Sequence, residues 1–376
     1  MEALLALVRT RWSVLGPDPR LPSDDEWPAL FAAAERHRVV PLLDEALRSI
    51  TSMEHQRREA HTRRLAIAAR AMFLLNQATR LADQCARENI RMIIWRGPIL
   101  AHMAYGDATL RTADDIDCLV AVADIPRMLP LMREAQFSWP LALDEWAERH
   151  YRRAVGEYVF WPPGREFQVE INTGIGPRYN GWELDFDRLW ESRRMVSLQG
   201  QPVATLSVED LLPLACVHAG KHLWQRLQWV CDIAAILHGS TTLDLDRVWR
   251  LAAGLKSQRM LATGLRLAHE LLGSKLPADQ LTRATAISQP IYDASRDLLV
   301  RRDDRHKSAW RTFRYHWTMY DTLRPRLRFT AGMVCEPSVG DWRWVRLPAN
   351  LYALYYVIRP IRIIMNMRQA RSRSIY

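Results

Sequence analysis

The sequence predicts an α+β fold in which an α/β core is flanked by helical regions on both sides. Three observations support this prediction. Apolar residues recur at helical spacing through residues 1–89, short apolar runs bounded by Gly and Pro replace them over 90–205, and helical spacing returns over 206–376. We therefore predict an N-terminal helical region, a central α/β core with at least four strands, and a C-terminal helical domain with these boundaries.

The N-terminal region is expected to be helical. "EWPALFAAAERHRVVPLLDEALRSI", residues 26–50, carries apolar residues at helical spacing, and Ser23 and Asp24 are candidate N-caps just before it. "LAIAARAMFLLNQATRLADQCARENI", residues 65–90, predicts a long amphipathic helix that ends near Asn89.

The central core begins where the pattern changes. "IRMIIWRGP", residues 90–98, predicts a short buried strand with a turn at Gly97, and a short helix follows. "DDIDCLVAV", residues 114–122, alternates and predicts a second strand, which is followed by another helix. "YRRAVGEYVFWPPG" and "REFQVEINTGI", together residues 151–175, predict two strands joined by a Pro-Pro-Gly turn in a hairpin-like pair.

The C-terminal domain is predicted to open with one long helix. Ser207 lies in capping-box spacing to Asp210, and the helix is expected to close at Gly239. Further helices follow to about residue 300, and the last 70 residues are rich in Arg, Trp and Tyr.

The final segment, residues 341–376, is basic and aromatic, and three interpretations stay open. It could be a helix packed on the body, an interfacial anchor giving weak membrane-surface association, or a surface for an acceptor peptide or nucleic acid. The Arg359-Pro360 pair is expected to break any single helix here, because proline lacks the backbone donor and clashes with the preceding turn.

Composition limits the class of protein. The chain has 376 residues and a net charge of +10, which favours polyanionic partners such as nucleotides, nucleic acid or an anionic membrane face. Its five cysteines show no CxxC spacing, so neither a zinc knuckle nor a disulfide framework is expected, and a reducing cytoplasmic location fits best. The first residues lack a signal-peptide pattern, and no run approaches the ~18 apolar residues that span a bilayer.

The motif that carries chemistry is "LRTADDIDCLV", residues 110–120. Asp115 and Asp117 are two apart, so on a strand their carboxylates point to one face, where they repel each other unless a cation lies between them. Glu170 lies in a second strand-like run, and it joins the cluster if that strand is a neighbour. Alone, the motif is more typical of an acidic turn. The order strand, Gly97, short helix, acidic strand and later acidic strand favours a two-metal phosphoryl-transfer site.

These residues resemble a known family. "RGPILAHMAYGDATLRTADDIDCLV" is similar to the signature of the nucleotidyltransferase superfamily with the DNA polymerase β-like fold, in the bacterial branch of uncharacterised nucleotidyltransferases. The later stretch "HAGKHLWQRLQWVCDI", residues 218–233, matches a helical motif of that branch. The resemblance covers roughly residues 30–240 and implies a polymerase β-like mixed-sheet core flanked by the N- and C-terminal helical regions.

The resemblance also implies roles for the site residues. The enzyme would use Mg²⁺ and a nucleoside triphosphate, ATP above the others. Asp115 and Asp117 would hold two Mg²⁺ ions, and Glu170 would complete one metal site or act as the base. Arg96 and Gly97 would hold the β- and γ-phosphates. Two positions depart from the family pattern, because Arg96 stands where Lys is usual and Glu170 where Asp is common.

Two further residues of the motif have predicted roles. By the same resemblance, Arg111 would neutralise the charge that develops on the leaving pyrophosphate. Asp114 is expected to cap the turn into the strand, a position that aspartate favours.

The long helix of the C-terminal domain allows two interpretations. It could be a core helix with polar ends, or Lys221, His222 and Arg226 could line the cleft and bind phosphate or acceptor. His218 and His222 are four apart, but without a third ligand they make a poor zinc site. Asp232 is expected to pair with Arg226 or another base rather than react.

The predicted function is transfer of a nucleoside monophosphate to a hydroxyl or phosphoryl acceptor. The resemblance points to a peptide, natural product or small molecule as acceptor, with lasso-peptide tailoring among the options, because similar proteins occur in such gene clusters. The alternatives are a toxin-like enzyme that modifies tRNA or protein, and an inactive nucleotide-binding module; nucleic acid is not the favoured partner. A glycosyltransferase is disfavoured because only one clear strand precedes the acidic motif.

Overall fold

The computed structural model confirms the predicted α+β class, with a mixed four-stranded sheet and surrounding helices. The structure describes residues 1–12, 21–50, 52–139, 148, 151, 155–240, 242–300 and 309–372. Residues 152–154 of the predicted hairpin and residues 373–376 of the final segment lie outside the described residues.

The sheet contains all the strands that the sequence predicted in the core. In chain order they are β1 (Met92–Ile94), β2 (Asp115–Val120), β3 (Glu157–Phe160) and β4 (Gln168–Asn172). Their spatial order is β1-β2-β4-β3, with β2 and β4 parallel and both outer pairs antiparallel. The chain leaves β2, forms a helix and β3, and returns in β4, so the parallel neighbours are not consecutive strands.

The N-terminal helices differ from the prediction in their bounds. They are α1 (Glu2–Arg9), α2 (Trp27–Arg36), α3 (Val40–Leu47) and α4 (Glu54–Arg87). The helical pattern over 26–50 is divided in two, because Arg38 adopts a φ of 58° and Pro41 lies in the first turn of α3. The long amphipathic helix is confirmed, but it begins at Glu54 rather than at residue 65.

Among the described residues, the middle of the chain also contains the following helices and a hairpin. The helices are α5 (Pro98–Tyr105), α6 (Ile125–Glu134) and α7 (Phe186–Glu191). The hairpin pairs β5 (Arg194–Leu198) with β6 (Gln201–Thr205), and the sequence reasoning missed it. Its two turn residues, Gln199 and Gly200, have φ of 51° and 80°, the left-handed conformation that matches strand twist in a tight hairpin.

The C-terminal region is helical, as predicted, but two boundaries were wrong. The helices are α8 (Val208–Lys221), α9 (Leu227–Gly239), α10 (Leu245–Gly254), α11 (Gln258–Leu272), α12 (Ala278–Val300), α13 (Ala309–Met319), α14 (Leu323–Cys335), α15 (Val339–Trp344) and α16 (Tyr355–Ser372). The single helix expected from Ser207 to Gly239 is broken into α8 and α9. The break expected at Pro360 does not occur: α16 continues through it, and Arg359 and Arg362, on either side of the proline, both pair with Asp341 and hold this part of the helix against the body.

Apolar side chains form two buried clusters. One lies on the apolar face of the sheet, where Ile116 of β2 packs with Leu74 of α4 and Met128 of α6. The other joins α1–α3 to α8–α12 and includes Leu43 and Trp224. Because the second cluster contains residues from all three predicted regions, the boundaries at 90 and 206 stay a prediction. Within the described part of the chain, no helix has the length and apolar character needed to cross a bilayer.

Candidate active site

The acidic residues converge on the polar face of the sheet. Alternation along β2 sends Ile116 and Cys118 into the core and leaves Asp115 and Asp117 on the other face. In the parallel pair, Glu170 of β4 lies directly beside Asp117. One oxygen from each of the three carboxylates lies within 4.8 Å of the others. The structure therefore brings together the three acids that the sequence singled out.

Burial and mutual repulsion make this cluster electrostatically costly. Burial, with the charges of Asp117 and Asp115, raises the pKa of Glu170 to about 8. Burial and the Asp117 charge also raise the pKa of Asp115. Gln168 Nε2 donates to Glu170 Oε1 at 3.0 Å, which fixes the side-chain orientation. Oxygen donors gathered this closely are the set that a hard divalent cation prefers, so the residues present fit Mg²⁺.

Arg96 provides a cation inside the cluster. Its side chain is 11% exposed, its guanidinium pairs with Asp117, and Nη2 lies 3.9 Å from Glu170 Oε2. Nη1 lies 2.6 Å from Nε2 of His218. Burial, together with the Arg96 charge, lowers the pKa of His218 far below its usual value, so the ring is neutral and can accept a hydrogen bond. Arg96 thus lies between the carboxylates and helix α8.

Gly97 allows the backbone to approach the acidic strand. Its φ of 66° is in the left-handed range, and a Cβ at this position would lie 2.9 Å from the backbone oxygen of Asp115. Pro98 then starts helix α5, since its fixed φ suits a first helical turn. The sequence predicted close approach to phosphate at Gly97; the contact that the structure shows is with strand β2.

Arg111 is buried rather than open to the cleft. Its Nε donates to Asp232 Oδ1 at 2.8 Å, and the hydroxyl of Tyr105 donates to the same oxygen at 2.9 Å. The Arg111 charge lowers the pKa of Asp115, against the larger effect of burial, so the guanidinium is close to the acidic cluster. Arg226, which the sequence offered as the partner of Asp232, has its guanidinium 5.5 Å from the ring centroid of Trp229 instead.

The basic residues near residue 222 do not lie on one helix, because the helix predicted over 207–239 is broken there. Lys221 ends α8, His222 is its C-cap, and Arg226 is the N-cap of α9. Between them the backbone of Leu223 and Trp224 is left-handed, with φ of 59° and 54°. The three side chains therefore lie at the end of one helix, at its C-cap and at the start of the next.

Lys221 and His222 nevertheless lie beside the site. Nζ of Lys221 lies 3.9 Å from the position of a Cβ on Gly176, in the loop after β4. Burial lowers the pKa of Lys221, while the carboxylates of Glu157, Glu170 and Asp117 oppose that change. The ring of the exposed His222 has its centroid 4.6 Å from that of His218.

Two residues near the site were missed in the sequence. Glu157 lies on the polar face of β3, because it is paired with Asn172 in the register that puts Val159 beside Glu170. The alternation in "EYVF", with its buried Tyr and Phe, was the available signal. Arg38 forms an ion pair with Asp114, which had been expected only to cap a turn. Nothing in the local sequence marks that pairing, since the two residues are far apart in the chain.

A mixed sheet that carries such a carboxylate cluster is typical of enzymes that transfer nucleotidyl groups. Sequence comparison then gives the family. The profile of a family described as uncharacterised nucleotidyltransferase matches residues 23–273, about two thirds of the chain. The chain therefore belongs to this family and is a nucleotidyltransferase, which confirms the resemblance that the acidic motif carried.

Two solved structures are similar to this chain. One is the antibiotic-resistance factor ANT(2'')-Ia, at 15% identity and a TM-score of 0.33, over 49% of this chain and 90% of that one. The other is an antigenic nucleotidyltransferase-like protein from Paracoccidioides brasiliensis, at 16% identity and a TM-score of 0.34, over 57% of this chain and 96% of that one. A comparison with curated proteins finds no match.

Proposed function

We propose that this nucleotidyltransferase transfers a nucleoside monophosphate from a triphosphate, ATP in the first place, to a hydroxyl or phosphoryl acceptor and releases pyrophosphate. The observation that carries this proposal is the convergence of three carboxylates from two adjacent strands, with oxygens within 4.8 Å. Asp115, Asp117 and Glu170 would hold two Mg²⁺ ions. When bound, these ions neutralise phosphate charge and polarise the reacting oxygens.

The cations beside the cluster suit a triphosphate. Arg96, just after strand β1, and Lys221, at the end of α8, both lie near the acids, and both would contact phosphate oxygens. Gly97 would let the backbone at the start of α5 approach the same group. Arg226 and His222 would bind phosphate or acceptor at the edge of the cleft. Arg111, held by Asp232, would add positive potential close to Asp115.

Glu170 is the proposed base. In the reaction the acceptor oxygen attacks the α-phosphorus, the bond from that phosphorus to the bridging oxygen breaks, and pyrophosphate leaves. The proton of the acceptor hydroxyl passes to a carboxylate oxygen of Glu170. Burial and the neighbouring carboxylates raise the pKa of Glu170, and bound Mg²⁺ would lower it again, so that the carboxylate is ionised and can accept that proton.

The acceptor class and the cellular location are finer parts of the proposal. A peptide, natural product or small molecule is favoured, with lasso-peptide tailoring as one form, and a cytoplasmic location is proposed with it. A toxin-like enzyme acting on tRNA or protein is the alternative that the +10 charge would support. An inactive nucleotide-binding module is the alternative that the Arg96 and Glu170 departures would support.

The test is pyrophosphate release with each α-labelled nucleoside triphosphate, Mg²⁺ and candidate acceptors. Asp115→Asn is expected to lower release at least 100-fold, because it removes a charged ligand and leaves the side-chain shape. Asp25→Asn, at an exposed position far from Asp115 in the sequence, is the matched control and should release pyrophosphate as wild type does. Equal release by Asp115→Asn and wild type would refute the assigned site, and nucleotide binding without any release would identify the inactive module.

A further inference from the structure

The positive charge of the protein is concentrated at its C-terminal end. Residues 309–376 contain twelve arginines, no lysine and three acidic residues, a net +9, whereas the whole chain carries +10. The remaining four fifths of the chain is therefore nearly neutral. Charge so concentrated in one segment gives the surface that this segment forms a positive potential, which attracts a polyanionic surface.

The same region exposes a row of apolar side chains. On helix α16, which has 18 residues, Tyr356, Val357, Ile361, Ile364 and Met365 are 43–57% exposed. At 100° per residue they occupy about half of the helix circumference, and together they form a continuous face that we term the outer face of α16. Exposed apolar faces of this kind mark sites of interaction.

The opposite side of α16 is polar and faces the protein. Arg362 Nε donates to Asp341 Oδ1 at 2.5 Å, and Arg359 Nε donates to the backbone oxygen of Met333 at 3.2 Å. The hydroxyl of Tyr355 donates to the backbone oxygen of Val345 at 2.7 Å. The helix is thus held to the body through its charged side and presents its aliphatic side outward, the reverse of an ordinary surface helix.

Exposed residues just before the helix extend this surface. Leu351 and Leu354 are 43% and 46% exposed in the short 3-10 turn that leads into α16. Upstream, Arg343 and Arg346 are exposed on either side of Val345, and Trp344 is 49% exposed. Aliphatic side chains, a tryptophan and arginines next to one another are the composition of a segment that lies in the interfacial layer of a bilayer.

We propose that the outer face of α16, with the arginines at 343 and 346, docks on an anionic lipid surface. A second copy of the chain is disfavoured as occupant because each copy would bring Arg343 and Arg346 to the contact, while Asp341, the one acidic residue of 341–365, is buried. Nucleic acid is disfavoured because four of the five side chains of the outer face, Val357, Ile361, Ile364 and Met365, offer it neither charge nor stacking. An anionic bilayer uses both features, since lipid headgroups take the arginines and the acyl boundary takes the aliphatic row.

The test is co-sedimentation of the full chain with vesicles. Phosphatidylcholine vesicles containing about a third phosphatidylglycerol are expected to bind the protein, and pure phosphatidylcholine vesicles should bind it far less. Each basic residue close to such a surface raises affinity roughly fivefold, so Arg343→Gln with Arg346→Gln should weaken binding roughly 25-fold. The combined change Val357→Ser, Ile361→Ser and Ile364→Ser should abolish binding.

Matched controls separate docking from general stickiness and from catalysis. Leu65→Ser and Met195→Ser remove exposed apolar groups elsewhere, 56% and 55% exposed, and should leave vesicle binding unchanged. Asp115→Asn should bind vesicles as wild type does. Failure of wild type to sediment with anionic vesicles would overturn the proposal. Unchanged vesicle binding by the triple serine variant, or a dimer in solution that this variant abolishes, would do the same.

Discussion

The buried ion pair between Arg111 and Asp232 gives a sharp test of how the segment before β2 is joined to helix α9. Its side chains are 7% and 5% exposed, and Nε and Oδ1 are 2.8 Å apart. Removing one partner of a buried pair leaves an uncompensated charge in the interior and costs about 3–5 kcal/mol. Asp232→Ala should therefore lower the free energy of unfolding by that amount, and it also leaves the Tyr105 hydroxyl without its acceptor.

The measurement is urea unfolding followed by tryptophan fluorescence, with two comparisons. Asp83→Ala breaks the exposed pair with Arg87, whose side chains are 41% and 74% exposed, and should change stability little. The double change Arg111→Met with Asp232→Leu removes both charges and should regain most of the stability lost by Asp232→Ala. An Asp232→Ala variant as stable as Asp83→Ala, or a double variant less stable than the single one, would refute the reasoning.

Three further predictions follow from the site and its supports. Gly97→Ala should lower stability and activity more than Gly106→Ala does. Both glycines have positive φ, but only at Gly97 would a Cβ lie 2.9 Å from a backbone oxygen. Equal losses of stability on urea unfolding would contradict this. With its pKa raised from 4.5 to about 8, Glu170 keeps its proton in the fold while the unfolded chain has lost it, so its stabilising contribution is lost as pH rises from about 4.5 to about 8. Mg²⁺ competes with that proton and should raise Tm more at pH 9 than at pH 6, and equal shifts would exclude Glu170 as a ligand. Burial lowers the pKa of His37 to about 4, so its stabilising contribution is present above pH 6.5 and is lost as pH falls towards 4. His37→Ala removes the acceptor of the Leu227 N–H, so it should lower the free energy of unfolding in urea by about 1–3 kcal/mol at pH 7. It should also weaken the loss of stability in acid. An acid transition that stays unchanged would show that His37 does not control it.

The chemistry of the site could be predicted from local sequence. The alternation of "DIDCLV" puts Asp115 and Asp117 on one face whatever else the chain does, because side chains of a strand alternate. The same rule placed Glu170 on a polar face of its own strand. The family motif added Arg96 and Gly97, which the structure places beside the acids.

The break between α8 and α9 shows what local sequence could not give. No Gly or Pro lies between Lys221 and Arg226, so the pattern there is that of an uninterrupted helix. The left-handed turn at Leu223 and Trp224 forms because it buries the Trp224 ring completely in the core. Gly264 on α11 makes room for that ring, since a Cβ there would lie 2.9 Å from it.

The sequence by itself determined the candidate ligands and the family, since both depend on residue identity and near-neighbour spacing. Only the tertiary structure decided which of these groups meet. The parallel register puts Glu170 beside Asp117 across a crossover of some fifty residues, and the burial of Arg111 against Asp232 joins the sheet to α9. Such contacts depend on the packing of distant segments, which minimises the exposure of apolar surface over the whole chain and so is not encoded in any short stretch.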